Sequence, residues 1–194
     1  MTQTQDAAQL GAAQTGPTQT GATSAEAAQT GRRSRTFGWT DPTQHLDLIS
    51  QTSGLELLRA MAAGELPPPP VMELIGLAGL EVEDGSVTFY LDPQEFHYNP
   101  IGSVHGGIIS TMLDSATGCS VHSTLPAGVA YTSLDLNVKF LRAVTLASGR
   151  LRCTGTVLQR GRRTCYAEAK MTDAAGRLVA HATSSCLIFE SPRP

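Results

Sequence analysis

One stretch, residues 99–118, constrains the fold of this chain more than any other, because a tight loop leads directly into an apolar helix there. The loop has one proline and three glycines between Pro100 and Gly107, so its backbone can turn sharply and keep N–H groups uncovered by side chains. Apolar residues then recur at helical spacing, at Ile108, Ile109, Met112, Leu113 and Ala116. We predict a helix from about Gly107 to His122 whose apolar face lies in the core.

Composition limits the chain to one main core and argues against several classes of function. Of 194 residues, 41% are hydrophobic and 16% are charged, which suffices for one sizeable domain. The formal net charge of -3 and the lack of a long basic run argue against a nucleic-acid or membrane-surface partner. No signal-peptide pattern and no apolar run of membrane-spanning length occur, so we expect a cytoplasmic protein.

Motifs for metals and cofactors are missing as well. The four cysteines form no CxxC pair, so we expect neither a zinc site nor a disulfide framework. The chain has no Gly-x-Ser-x-Gly elbow, Walker A loop, Gly-x-Gly-x-x-Gly fingerprint or HExxH pair, which argues against the enzyme classes built on them. We therefore expect no metal and no cofactor.

Composition also divides the chain into a tail and one domain. Residues 1–36 consist mostly of Ala, Gln, Thr, Gly and Ser without periodic large apolar residues, so they cannot bury enough surface to offset the entropy of ordering. The first aromatic side chains follow at Phe37 and Trp39. We predict a disordered tail over residues 1–36, one domain over residues 37–190 and a C-terminal tail over residues 191–194.

The order of elements predicts a largely antiparallel sheet. Ser53-Gly-Leu-Glu56 is typical of a capping box that opens a short N-terminal helix, and Asp84-Gly85 predicts a hairpin turn. The predicted strands are residues 77–83, 86–91, 131–140, 148–158, 164–171 and 177–189. Because the turns between the later strands are too short for parallel crossovers, we predict an α+β domain with one central helix packed on the sheet.

Four sequence features together carry a resemblance to a known family. They are Asn-Pro-x-Gly-x-x-His-Gly-Gly at residues 99–107, an acid nine residues after the histidine, Ser-x-Asp-x-Asn at residues 133–137 and Gly-Arg-Arg at residues 161–163. The combination resembles the hotdog-fold acyl-CoA thioesterases, in the phenylacetate-degradation (PaaI-like) branch of the 4-hydroxybenzoyl-CoA thioesterase superfamily. The resemblance implies a curved antiparallel sheet wrapped around the central helix, an acyl-CoA substrate, and a homodimer that either stays a dimer or pairs into a homotetramer.

The same resemblance implies a role for individual residues. Asp114 stands where the family has its catalytic carboxylate, which either attacks the thioester or activates a water. Gly106, together with Gly107, stands at the backbone N–H that polarises the thioester carbonyl, and Asn99 stands at the side-chain amide that assists there.

A hydroxyl group near the acid is the least defined part of this pattern. Ser133 aligns with a family serine that orients the attacking water, and a shift of one residue would put Thr132 in its place. Some relatives have a further hydroxyl residue one turn after the acid, where this chain has Gly118.

Elementary chemistry supports a catalytic role for residues 99–118 independently of the family resemblance. Free N–H groups at the start of a helix can stabilise the oxyanion that forms during acyl transfer, and Asp114 is the only acid between Glu95 and Asp135. Gly106 and Asp114 are eight residues apart, which is about 12 Å along one helix. One reacting carbon cannot lie near both groups, so we predict a homodimer with two composite active sites.

The sequence leaves the roles of three arginines and one histidine open. Arg142, Arg162 and Arg163 either bind the phosphates of CoA, since guanidinium forks match phosphate oxygens, or lie in solvated turns. His105 lies beside the expected substrate site and either fixes the loop by a hydrogen bond or takes part in catalysis.

The leading interpretation is an acyl-CoA thioesterase that releases a free acid and CoA. Two alternatives stay open: a non-catalytic acyl-CoA-binding module on the same fold, and a hotdog dehydratase or hydratase in which His105 would carry the reaction. The acyl group cannot be ranked from sequence, because distant residues and the partner chain form the pocket walls.

Overall fold

The computed structural model describes residues 31–191, without the side chains of Gln44 and Leu46. Residues 31–36 are exposed and lie in no helix or strand. The rest of the predicted N-terminal tail and residues 192–194 of the predicted C-terminal tail lie outside the described residues. Ser191 donates its N–H to the carbonyl of Gly128 at 2.8 Å.

Within residues 31–191 three short helices precede the sheet, where the sequence predicts one. They are α1 (Thr43–Ile49), α2 (Gly54–Ala62) and α3 (Pro70–Ile75). The predicted capping box is confirmed, because the Ser53 side chain accepts from the N–H of Glu56 while the Glu56 carboxylate accepts from the N–H of Ser53. The last residue of the proline run 67–70 starts α3, since proline at the first helical position lacks only an N–H that would be unpaired.

Seven strands form one sheet that is antiparallel throughout, and this confirms the predicted α+β class. The strands are β1 (Leu77–Glu83), β2 (Ser86–Leu91), β3 (Val129–Ser133), β4 (Asn137–Phe140), β5 (Leu151–Arg160), β6 (Thr164–Thr172) and β7 (Leu178–Glu190). Their order is β1-β2-β5-β6-β7-β3. Strand β4 also pairs with β7, at residues 180–183, whereas β3 pairs with residues 186–190.

The single strand predicted over residues 131–140 is wrong, because the structure divides it into β3 and β4. Ser133 pairs with Cys186 and Asn137 pairs with Thr183, so three residues stand opposite two and the register shifts by one. At this point the Asp135 carboxylate accepts the N–H of Ser185 at 3.1 Å. The side chain takes a hydrogen bond that a regular ladder would give to a backbone carbonyl.

The long helix α4 (Gly106–His122) crosses the sheet and buries Met112, Leu113 and Ala116 completely or nearly so. It lies directly on β5, where a β-carbon on Gly155 would overlap the backbone carbonyl of Ala116. This close contact fixes the position of α4 on the sheet. No helix within residues 31–191 is long and apolar enough to cross a membrane.

Candidate active site

The loop before α4 is shaped by the side chain of Asn99. Its Oδ1 accepts from the N–H groups of Ile101 and Ser103, both at 3.1 Å, and its Nδ2 donates to Ser103 Oγ at 3.0 Å. Gly102 takes a φ of 80° in the turn, a conformation that favours glycine. Asn99 thus fixes the loop, and one of its two amide hydrogens has no acceptor within residues 31–191.

His105 caps the start of α4 and separates the roles of the two glycines that follow. Its Nδ1 accepts from the N–H of Gly107 at 2.8 Å, while its own N–H donates to the carbonyl of His97 at 2.8 Å. The N–H of Gly107 is therefore already bonded within the loop, and its contact with the substrate carbonyl stays a prediction. The N–H of Gly106 has no acceptor among the described residues, and it lies at the positive end of the helix dipole.

A cavity of about 340 Å³ opens at this loop and contains Asn99, Gly106 and Arg142 in its lining. The ring of Phe140 covers Gly106 so closely that a β-carbon there would lie 3.1 Å from the ring carbon Cζ. The guanidinium group of Arg142 donates to the carbonyl of Leu178 at the end of the sheet. Sequence reasoning missed Phe140 as a wall of this site, because its strand pattern indicated only half-burial.

Asp114 lies about two turns further along α4 and is exposed. Ser133 Oγ on β3 donates to Asp114 Oδ1 at 3.0 Å. Neighbouring residues of a strand point to opposite faces of the sheet, so Thr132 faces away from Asp114. The structure thus brings Ser133, and not Thr132, to the carboxylate.

Gly118 cannot supply the hydroxyl that some relatives have one turn after the acid, and the Tyr131 side chain occupies that space. A β-carbon on Gly118 would lie 2.5 Å from the hydroxyl oxygen of Tyr131. The nearby Thr117 is buried and donates its hydroxyl to the carbonyls of Leu113 and Asp114, within its own helix. Sequence reasoning missed Tyr131, although an aromatic residue two positions before Ser133 on the same strand face is a usable signal.

The two halves of the predicted site lie apart within one protomer. Gly106 and Asp114 belong to the same helix, so eight residues separate them by about 12 Å. A single thioester carbon cannot contact the Gly106 N–H and the Asp114 carboxylate of the same chain.

The arginines lie at different ends of α4. Arg142 is at the cavity beside Gly106, whereas Arg162 and Arg163 are exposed in the turn between β5 and β6. That turn lies near the C-terminal end of the helix, because the Arg160 side chain donates to the carbonyl of Thr124. The structure therefore brings only Arg142 to the loop of its own chain.

Comparison with known proteins gives one consistent family. A family model described as "Thioesterase superfamily" matches residues 101–180. A Halobacterium salinarum protein that carries the name of an esterase is 32% identical over 110 residues, 54% of this chain and 71% of that protein. Human acyl-coenzyme A thioesterase 13 is 28% identical over 97 residues, 50% of this chain and 68% of that protein.

Solved structures show the same fold. A phenylacetic acid degradation-related protein of Ralstonia eutropha is 33% identical with a TM-score of 0.61, and the match covers 67% of this chain and 98% of that one. The PaaI protein of Escherichia coli has a TM-score of 0.61 at 19% identity, over 73% of this chain and 98% of that one, a similarity of fold.

Proposed function

The chain belongs to the thioesterase superfamily and is a thioester hydrolase, and from this premise we propose that it hydrolyses acyl-CoA in active sites formed between two copies of itself. The observation that carries the proposal is the unused N–H of Gly106 on the same helix as Asp114, about two turns away. Each group is suited to one half of acyl transfer, and only a second copy can bring the two halves to one thioester.

The proposed reaction starts with a water activated by Asp114. The carboxylate takes a proton as the water oxygen bonds to the thioester carbon, and the carbonyl oxygen becomes an oxyanion. The partner's Gly106 N–H stabilises that charge, with the remaining amide hydrogen of Asn99 beside it. The C–S bond then breaks, the proton passes from Asp114 to the CoA sulfur, and a free acid leaves.

Direct attack by Asp114 is the alternative chemistry for the same carboxylate. It would form a mixed anhydride between Asp114 and the acyl group as the C–S bond breaks and CoA leaves as the thiolate, and water would then open the anhydride. A single turnover in labelled water, followed by mass analysis of the peptide that contains Asp114, tests this route, because label in the protein shows that water opened an anhydride at the Asp114 carbonyl.

Ser133 supports the role of Asp114 in either route. Its hydroxyl donates to Oδ1 at 3.0 Å, which leaves Oδ2 as the atom that faces water or substrate. A carboxylate held by a hydrogen bond from a strand keeps one orientation on the helix surface, as a general base requires.

For the CoA part of the substrate we propose Arg142 of one copy and the β5–β6 turn of the other. If the two α4 helices run in opposite directions with Gly106 beside the partner's Asp114, the C-terminal end of the partner helix extends past the loop. Arg162 and Arg163 of the second copy then lie on the same side as Arg142. Arginine forks bind phosphate oxygens in pairs, and the relatives named acyl-coenzyme A thioesterase support a CoA substrate.

A dehydratase or hydratase reaction through His105 has less support. The Nδ1 atom of His105 is engaged with the N–H of Gly107 at 2.8 Å, so this histidine is used as a helix cap. No contact of a second acid with the His105 ring occurs within residues 31–191.

Thiol release from a panel of acyl-CoA thioesters tests the proposed function. We expect Asp114→Asn and Asp114→Ala to lower kcat by more than about a hundredfold, because a positioned base or nucleophile is lost. The matched control is Asp92→Asn, which removes the charge of a surface acid paired with Arg150 at 2.8 Å and should keep parental turnover. Near-parental turnover of both Asp114 variants, with folding and oligomeric state intact, would contradict the assignment.

A further inference from the structure

The hydroxyl of Tyr131 lies where a side chain of residue 118 would begin. Strand β3 runs beside α4, so that Ser133 contacts Asp114 at 3.0 Å and Tyr131, on the same strand face, reaches Gly118 one turn later. A β-carbon on Gly118 would lie 2.5 Å from the Tyr131 hydroxyl oxygen and 2.8 Å from the ring carbon Cε2. A larger residue at position 118 would therefore overlap the Tyr131 side chain, so tyrosine at position 131 requires glycine at position 118.

The surroundings of Tyr131 keep its phenol protonated. The ring packs with Val129 and Val157 against an apolar cluster formed by Val121, Leu125, Cys165, Ala167, Cys186 and Ile188. Burial, together with the nearby Cys119, Cys186 and Asp114 side chains, raises the pKa of Tyr131 well above its usual value. A protonated phenol oxygen has lone pairs that can accept a hydrogen bond.

Packing alone does not account for this hydroxyl. Tyr131 is half-buried, and removing a hydroxyl from water costs free energy unless it finds a hydrogen-bond partner. Phenylalanine would fill the same volume beside Gly118 without that cost. The oxygen lies beside Gly118, one helical turn after Asp114 and on the same side of α4.

We propose that Tyr131 is a positioning residue that holds the attacking water of Asp114. A water between the two groups donates one hydrogen to the Asp114 carboxylate and the other to the Tyr131 oxygen. Its lone pair then faces the thioester carbon. Ser133 aligns the carboxylate, and Tyr131 aligns the water, at the turn where Gly118 supplies no side chain. This inference rests on the proposed function, and it applies to the route in which Asp114 acts as a base.

Tyr131→Phe tests the hydroxyl while keeping the ring. We expect kcat for thiol release to fall about tenfold, the effect of one lost hydrogen bond in the transition state, with KM and the unfolding midpoint close to the parental values. The matched control is Tyr90→Phe, which removes a phenol that donates to Glu81 at 2.9 Å on the exposed surface of β2. Tyr90→Phe should retain parental kcat.

A pair of double variants moves the hydroxyl from the strand to the helix. Tyr131→Ala opens the space beside residue 118, so Gly118→Ser can then present a hydroxyl toward Asp114, since helical side chains tilt toward the N-terminus. We expect Gly118→Ser with Tyr131→Ala to turn over about fivefold faster than Gly118→Ala with Tyr131→Ala. The two double variants differ in one oxygen atom, which separates chemistry from packing.

The outcomes distinguish this inference from the proposed function. If Asp114→Asn is inactive while Tyr131→Phe keeps parental kcat, the proposed function stands and the role of Tyr131 is wrong. Equal rates for the two double variants would also overturn the role of Tyr131. If Asp114→Asn itself remains active, the proposed function fails, and the inference fails with it.

Discussion

Gly106 and Gly107 are identical neighbours in the sequence, yet one histidine side chain gives them different chemistry. The Nδ1 atom of His105 accepts the N–H of Gly107 at 2.8 Å, as a helix N-cap does. The N–H of Gly106 lies one residue before the groups that such a cap reaches, so it has no acceptor within residues 31–191. A backbone group that a substrate carbonyl can use is thus defined by the hydrogen bond that its neighbour makes.

Ser133 and Thr132 offer a test at the same scale. Of these two hydroxyls, that of Ser133 contacts the Asp114 carboxylate, so we expect Ser133→Ala to lower kcat about tenfold through loss of one hydrogen bond to the carboxylate. Thr132→Ala, on the opposite face of β3, should change kcat less than twofold. Thiol release under saturating substrate measures both. A larger loss for Thr132→Ala than for Ser133→Ala would show that the strand register at the site is wrong.

At the scale of elements, the contact between α4 and β5 determines where the proposed catalytic groups lie. Gly155 of β5 has no side chain, which lets the helix backbone approach the sheet at Ala116. Asp114 lies two residues earlier on the same helix, so any shift of the helix away from β5 moves the carboxylate relative to Ser133. Packing within the core and alignment within the site are therefore coupled.

Gly155→Ala measures this coupling. The added methyl group would overlap the Ala116 carbonyl, and overpacking of this kind costs about 1–3 kcal/mol of unfolding free energy. Denaturant unfolding should show that loss together with a lower kcat. The control is Gly79→Ala in β1, where the methyl group would lie 3.5 Å from the Tyr90 ring, an ordinary contact. An unfolding free energy equal for both variants would argue against close packing at Gly155.

At the scale of the whole molecule, the proposed active site requires two chains. Gly106 and Asp114 lie on one rigid helix about 12 Å apart, and no motion within that helix brings them together. In the dimer that we propose, a second copy related by a two-fold axis would supply the missing half of each site, because a two-fold interface brings the same two surfaces together twice.

Mixed dimers test this arrangement. An Asp114→Ala chain keeps an intact loop, and an Asn99→Ala chain keeps an intact acid, so a heterodimer has one complete site and one with both defects. Random mixing at equal concentrations should restore about a quarter of parental activity, measured as thiol release after verified subunit exchange. Absence of recovery in confirmed heterodimers would contradict composite sites.

Much of this architecture was open to prediction because it depends on local patterns. Alternation and short turns predicted the antiparallel sheet, the Ser53 capping box predicted the start of α2, and glycines followed by periodic apolar residues predicted α4 to within one residue of its start. These features depend on residues within a few positions of each other, where spacing alone sets geometry. The family resemblance is confirmed for the same reason, since its main motif is one continuous stretch.

What only the tertiary structure decided is which distant groups meet. The Asp135 carboxylate accepts the N–H of Ser185, 50 residues away, where the strand divides into β3 and β4. Tyr131 fills the space beside Gly118. Such contacts depend on strand register and on how deeply the helix lies in the sheet, and a shift of one residue would turn each side chain to the other face. The sequence by itself thus determined the fold class and singled out Asp114, whereas packing across the whole domain decided which hydroxyl groups lie beside that carboxylate.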